Sequence, residues 1–211
     1  GRVILNQGKP NEIILDFVIY TGGSLLEDAK NRDFTINTLL LDLLQLEEVI
    51  DLLGGLPDLD AKVLKAASPQ SMQLDPLRVL RGIRFKRTFN LEIEPQTESL
   101  MRAAAEGLAQ ISGERIRDEL FKIFAQADVA GAFRLMDNLG VLAPVFPELA
   151  VIKPQPAIYP HVHPLWEHTL QVITYLEIML GSKANPEGSN TDIYMQLAKE
   201  MLAPYIEQVR D

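Results

Sequence analysis

The sequence contains no cysteine, which excludes disulfides, thiolate metal sites and a cysteine nucleophile and fits a reducing cytoplasm. It has no run of the roughly 18 to 20 uncharged apolar residues that a membrane-crossing helix needs, and its first residues lack a basic-then-apolar signal layout. Positive charge is also scarce. The 20 Lys and Arg are outnumbered by 29 Asp and Glu, for a net charge of -9, which argues against wholesale coating of a nucleic acid, because phosphates are bound by neutralising them. Contact with such a polyanion must be local, and one stretch qualifies. From Pro76 to Leu91 there is no acid, while Arg78, Arg81, Arg84, Lys86 and Arg87 all fall there. With 211 residues, 47% hydrophobic and 23% charged, the chain can bury a sizeable core in one or two domains, so it reads as a soluble globular protein, not a disordered tail.

Arg2 to Leu5 and Glu12 to Tyr20 read as two strands joined by a turn through Gly8, Lys9 and Pro10. A lone hairpin is marginal in water, so its partner strands are expected upstream of residue 1. Ser24 can cap a short helix, Leu39 to Ile50 is an apolar run open to either strand or helix, and a turn at Gly54 and Gly55 closes this section. From Pro76 the pattern is helical. Asp75 can cap a helix with Pro76 at its first position, where the missing N–H costs nothing. Ser112 can cap another, with Glu114 in its first turn and Ile116, Leu120, Ile123 and Phe124 at helical spacing. Asp128 opens a third that ends near Gly140, the chain turns around Pro144 and Pro147, and Trp166 to Leu180 reads as a further helix. Ser182 to Asn190 has loop composition, and Ile193, Leu197, Met201, Tyr205 and Val209 make a last amphipathic stripe.

Two strings carry candidate chemistry. Arg32-Asp33-Phe34-Thr35-Ile36-Asn37 groups a guanidinium suited to phosphate oxygens with a carboxylate and an amide able to hold ribose hydroxyls. Taken alone it is equally a helix cap beside a surface ion pair. In Asp75-Pro76-Leu77-Arg78-Val79-Leu80-Arg81-Gly82-Ile83-Arg84-Phe85, helical spacing spreads Arg78, Arg81 and Arg84 over roughly 120° of one side and turns Val79, Leu80 and Ile83 toward a core. Asp75 lies one turn before Arg78. An acceptor and a donor so placed could together meet the hydrogen-bonding edge of a base, although solvated arginines behind an ordinary cap give the same pattern.

The same strings carry a resemblance. Arg32 to Asn37 resembles the RRDFTIN motif, and Asp75 to Phe85 the EDPLRxLRxxRF motif, of the class II (bacterial-type) tRNA CCA-adding nucleotidyltransferases and poly(A) polymerases. Ile111 to Leu120 is similar to the family's neck motif, and Leu139-Gly140 through Phe146-Pro147-Glu148-Leu149 to the segment that follows it. The matches run in order over about residues 12 to 150. The resemblance implies an α+β, mainly α architecture: a remnant of a nucleotidyltransferase α/β head in residues 1–65, an all-helical neck binding nucleotide and RNA in 66–150, and C-terminal helices in 151–211 placed where some family members open an HD-type domain. It implies metal-dependent transfer of CMP or AMP from CTP or ATP onto a tRNA or other RNA 3′ end. Arg32 and Asp33 would contact triphosphate and ribose, Asp75 and Arg78 would read the base edge, and Arg81 and Arg84 would help hold the nucleotide. Two Mg2+ ions held by a paired-aspartate motif expected upstream of residue 1 would serve the chemistry, with Asp16 as an additional acidic catalytic residue on the neighbouring strand. A poly(A) polymerase, an A-adding-only enzyme and a non-catalytic RNA- or nucleotide-binding module are the competing readings.

The sequence departs from the pattern at two places: Asn31 stands where the family usually has an arginine, and Leu74 where a glutamate commonly precedes the Asp-Pro pair. His161, His163 and His168, with Trp166 and Glu167, have spacing that could bind a metal, but the His-Asp doublet of an HD site is missing, which favours packed or surface histidines.

Overall fold

A computed structural model describes residues 1–17, 19, 23–157 and 163–180. It opens with an antiparallel hairpin of β1 (Arg2–Leu5) and β2 (Ile13–Asp16), in register from Arg2 opposite Asp16 to Leu5 opposite Ile13. Gly8, at φ +74°, and a bond from the Lys9 amide to the Asn6 carbonyl shape the turn. β2 ends at Asp16, short of the expected Tyr20; Val18 and Tyr20 lie outside the described residues. Val3, Ile4, Leu5, Ile13, Ile14 and Leu15 are all exposed.

The Ser24 Oγ accepts the Glu27 amide at 3.2 Å and starts α1 (Leu25–Lys30). A single turn of 3-10 helix at Thr35–Asn37 follows. The ambiguous apolar run resolves as a second hairpin, β3 (Leu40–Asp42) against β4 (Gln45–Ile50). Asp51 then caps α2 (Gly55–Asp60), accepting the Gly54, Gly55 and Leu56 amides at 2.8 to 2.9 Å. Those backbone donors, led by Leu56 and opposed by desolvation, hold the Asp51 carboxyl below its ordinary value. Gly55 has to be glycine: an added Cβ would sit 2.3 Å from the Thr35 carbonyl oxygen.

β5 (Val63–Leu64) leads through α3 (Ser71–Leu74) to α4 (Leu77–Phe89). β6 (Glu92–Ile93) returns to pair in parallel with β5, the one strand in a stretch expected to be all helix. Then come α5 (Pro95–Ala104), a 3-10 segment at Ala105–Gln110, α6 (Gly113–Phe124), α7 (Val129–Asn138), α8 (Leu142–Val145), α9 (Pro147–Ile152) and α10 (Leu165–Met179). Gly140, at φ +75°, ends α7 in the left-handed conformation that suits glycine. The architecture is α+β and mainly α.

One apolar cluster runs from Phe34 and Leu64 through Val79, Leu80 and Ile83 to Met136, Leu139, Trp166 and Leu170, so it crosses both expected domain boundaries. α4 is its axis. Val79, Leu80 and Ile83 are fully buried, and each such side chain contributes about 1.5–3 kcal/mol relative to exposure. Phe34 packs edge-on to Phe85 at 5.9 Å, while Gly82 lets Phe34 and Met101 approach the helix backbone. Among the described residues no helix is long and apolar enough to cross a membrane. The Ser182–Asn190 segment and the stripe from Ile193 to Val209 lie outside the described residues.

Candidate nucleotide-binding site

The site grows from the link after α1. Phe34, with no exposed surface, anchors this link in the core, and its strand bridge to Ala66 clamps residues 33–35 beside α4. Asp33 is thereby buried. Its Oδ1 accepts the Phe34 amide at 2.9 Å and the Asn37 Nδ2 at 3.0 Å; its Oδ2 takes Arg81 Nε at 2.7 Å, with Arg81 Nη2 2.6 Å away. Its carboxylate orients Asn37 and Arg81 rather than facing open space.

Arg32 donates from Nε and Nη2 to Asp28, one turn back on α1, at 3.2 Å, and from Nη1 to the Asn37 carbonyl at 3.0 Å. Arg78 reaches from α4 to three backbone carbonyls: Arg32 at 3.1 Å, Ser71 at 2.8 Å and Asn31 at 2.6 Å. These account for three of its five N–H donors, so the head is fixed with two left to meet a ligand. Burial lowers the Arg78 pKa, opposed by the charges of Asp33 and Asp75, and a guanidinium stays protonated under such a shift.

The helix start is close to the sequence expectation. α4 begins at Leu77, with Pro76 at its cap position, and Asp75 Oδ1 accepts the Leu77 amide at 3.3 Å. Pro76 is wedged against Gly107, where an added Cβ would lie 2.6 Å from the proline ring. Asp75 Oδ2 accepts Arg115 Nη2, from the first turn of α6, at 2.7 Å.

These side chains surround a cavity of about 370 Å³ lined by Arg32, Asp33, Asn37, Asp75, Leu77, Arg78, Arg81 and Arg115. That volume lies within the range of small-molecule sites. Four guanidinium groups and two carboxylates leave a net positive charge, and planar forks of this kind match phosphate oxygens. At the Asp75 end, a carboxylate acceptor stands one turn from a guanidinium donor, the pair of functions that can match the edge of a cytosine or an adenine.

Five of the six residues expected to hold nucleotide therefore meet at one cavity. Arg84 does not: its Nε donates to Glu119 Oε2 on α6 at 2.9 Å, and its guanidinium stacks 4.3 Å from the Phe85 ring centre. Asp16 closes the β1–β2 register opposite Arg2. Arg115 was given no role by sequence, although it stands inside a quoted string; Asn37 entered the sequence reading only as the amide able to hold ribose hydroxyls.

Among the described residues no group of three or more His, Cys, Asp or Glu converges as a metal cage. Asp58 and Asp60 have paired-aspartate spacing, but Asp58 accepts the Thr35 hydroxyl at 2.7 Å within α2. The described residues do not fit the expected Mg2+ site. His161 lies outside the described residues, Trp166 is buried, and Glu167 pairs with Arg134 on α7 at 2.8 to 2.9 Å.

Comparison with known proteins addresses the family of the chain. Residues 6–65 match the family described as the poly A polymerase head domain, and residues 90–153 the one described as the probable RNA and SrmB-binding site of polymerase A. The chain is 37% identical over 146 residues to a CC-adding tRNA nucleotidyltransferase of Geobacter sulfurreducens, covering 69% of this chain and 33% of that protein. It is 36% identical over 131 residues to an A-adding tRNA nucleotidyltransferase of Deinococcus radiodurans, covering 60% and 30%. A solved complex of a CCA-adding enzyme with ATP superposes with a TM-score of 0.65 at 25% identity, covering 88% of this chain and 42% of that one. The chain thus spans about a third of the length of these curated relatives. With the two family matches in order along the chain and these relatives beside them, the chain belongs to the tRNA nucleotidyltransferase and poly(A) polymerase family.

Proposed function

We propose that the full-length gene product adds CMP and AMP to the 3′ end of tRNA, completing or repairing its CCA terminus without a nucleic-acid template. The observation that carries this reading is the cavity in which Asp75 and Arg78 stand together at one end of a cluster of guanidinium groups. Arg32 and Arg81 hold the triphosphate of CTP or ATP, Asp33 fixes Arg81 and Asn37 beside the sugar, and Asp75 and Arg78 present an acceptor and a donor to the base. Arg84 supports the site through Glu119. The RNA 3′ hydroxyl attacks the α-phosphorus, the bond to the β-phosphate breaks, and pyrophosphate leaves. Mg2+ is the expected cofactor, with ligands outside the described residues, and Asp16 is carried as an acidic helper on the family resemblance. Residues 1–65 serve as part of the head and 66–150 as the nucleotide- and RNA-binding neck, in a cytoplasmic enzyme.

An A-adding-only activity is the second reading, because the A-adding and CC-adding relatives are matched at 36% and 37% identity. Incubating the full-length protein with tRNA ending before CCA and with tRNA ending in CC, each supplied with CTP, ATP or both, separates the possibilities. Addition of two C and one A supports the proposal; A alone on a CC end supports the second reading; long A tracts identify a poly(A) polymerase; no incorporation leaves a binding module. Asp75→Ala and Arg78→Ala should each cut discrimination between CTP and ATP by about tenfold, the scale of one base-edge contact. Unchanged discrimination would reduce Asp75 to a helix cap.

A further inference from the structure

We infer that Arg115, on α6, is the positioning residue for the Asp75 carboxylate, holding it in the plane from which it reads the base. This inference rests on the reading of the cavity as a nucleotide site. Asp75 is gripped from two directions: Oδ1 by the Leu77 amide of α4 at 3.3 Å, and Oδ2 by Arg115 Nη2 at 2.7 Å. The first bond is long and fixes one oxygen only. Alone it would restrain the group weakly, and rotation about the Cβ–Cγ bond, which carries both oxygens together, would move the acceptor off the set angle that the base edge needs.

The Arg115–Asp75 pair is not what docks α6 on α4. That is done by the buried pair of Arg84 with Glu119, whose side chains are 20% and 6% exposed, and by Leu120 and Ile123 in the core. Arg115 and Asp75 are 51% and 27% exposed, and ion pairs so placed add little to stability. Both nevertheless line the cavity. Asp75 also lies near enough to Arg78 for their charges to interact. Released from Arg115, the carboxylate can swing toward that guanidinium and occupy the donors meant for the base. Arg115 keeps acceptor and donor apart, and it comes from the segment matched as RNA-binding, residues 90–153.

The test uses the full-length protein carrying Arg115→Ala, Arg115→Lys, Asp75→Ala, or Arg115→Ala with Asp75→Ala. KM and kcat are measured for CTP and ATP on tRNA acceptors, alongside thermal melting. Arg115→Ala should raise KM for both nucleotides and cut discrimination by about tenfold, approaching Asp75→Ala, with kcat and melting temperature little moved. Arg115→Lys should restore part of the loss, and the double variant should be no worse than Asp75→Ala alone. Normal KM and discrimination in Arg115→Ala, or losses that add in the double variant, would overturn the positioning role. If Asp75→Ala itself left discrimination intact, the base-reading assignment would be what fails.

Discussion

At the scale of single residues, Asp33 shows how a motif position divides its labour. It accepts bonds from Phe34, Asn37 and Arg81 while almost wholly buried, so truncating it strands a guanidinium and an amide beside the core. Asp33→Ala should cost about 2 kcal/mol in urea unfolding, below the roughly 3–5 kcal/mol of a fully buried pair, because the Arg81 side chain keeps 35% exposure. It should also weaken nucleotide binding through Arg81; normal affinity for ATP would separate Asp33 from the site. The string Arg32 to Asn37 announced these functional groups, and the resemblance its family. Which way the carboxylate faces depends on Phe34 entering the core and on Ala66 bridging it, contacts between distant segments that local spacing does not encode. Asn31 shows the reverse. It stands where the family usually has an arginine, and the site uses its backbone carbonyl, which any residue supplies.

Among the elements, α4 and α6 are joined by a carboxylate in a demanding place. Desolvation pushes the Glu119 carboxyl up, but bonds from Lys122 and Arg84 together with the Arg84 charge outweigh it, and the net shift is down from the ordinary 4.5. A carboxyl with a depressed folded pKa contributes stability that is present above its unfolded value and lost as pH falls through the folded one. The melting-temperature gap between the unaltered protein and Glu119→Gln should therefore be widest near neutrality and narrow below about pH 4.5. A gap independent of pH would mean that Glu119 acts by packing alone. Gly82 sets a second constraint: an alanine there would place Cβ 2.9 Å from Phe34 Cζ and 2.7 Å from Met101 Cε. Overpacking of this kind costs about 1–3 kcal/mol, more than the roughly 1 kcal/mol by which alanine improves a helix, so Gly82→Ala should lower the unfolding midpoint. Helices with a readable cap or stripe, such as α1, α4, α6 and α7, were legible in the sequence. β5 and β6 were not, because two-residue strands have no period to detect.

Across the whole molecule, burial is uneven. The β1–β2 hairpin leaves its apolar residues exposed, whereas the central turns of α4 lie in the core. Native-state hydrogen exchange on this chain should release the amides of residues 2–5 and 13–16 first and those of 79–85 last; equal protection would show a covered hairpin. On a chain of net charge -9, four guanidinium groups gather at one cavity, two of them, Arg78 and Arg81, from the acid-free stretch after Pro76. The shared core has a further consequence. β5 and β6 pair across the gap between the two family-matched regions, and the apolar cluster draws on both. A nick at the exposed Pro69–Gln70 would thus yield two fragments, each carrying an unfinished oily face. Neither would stand alone, but mixed together they should reassemble, as the halves of a split reporter do.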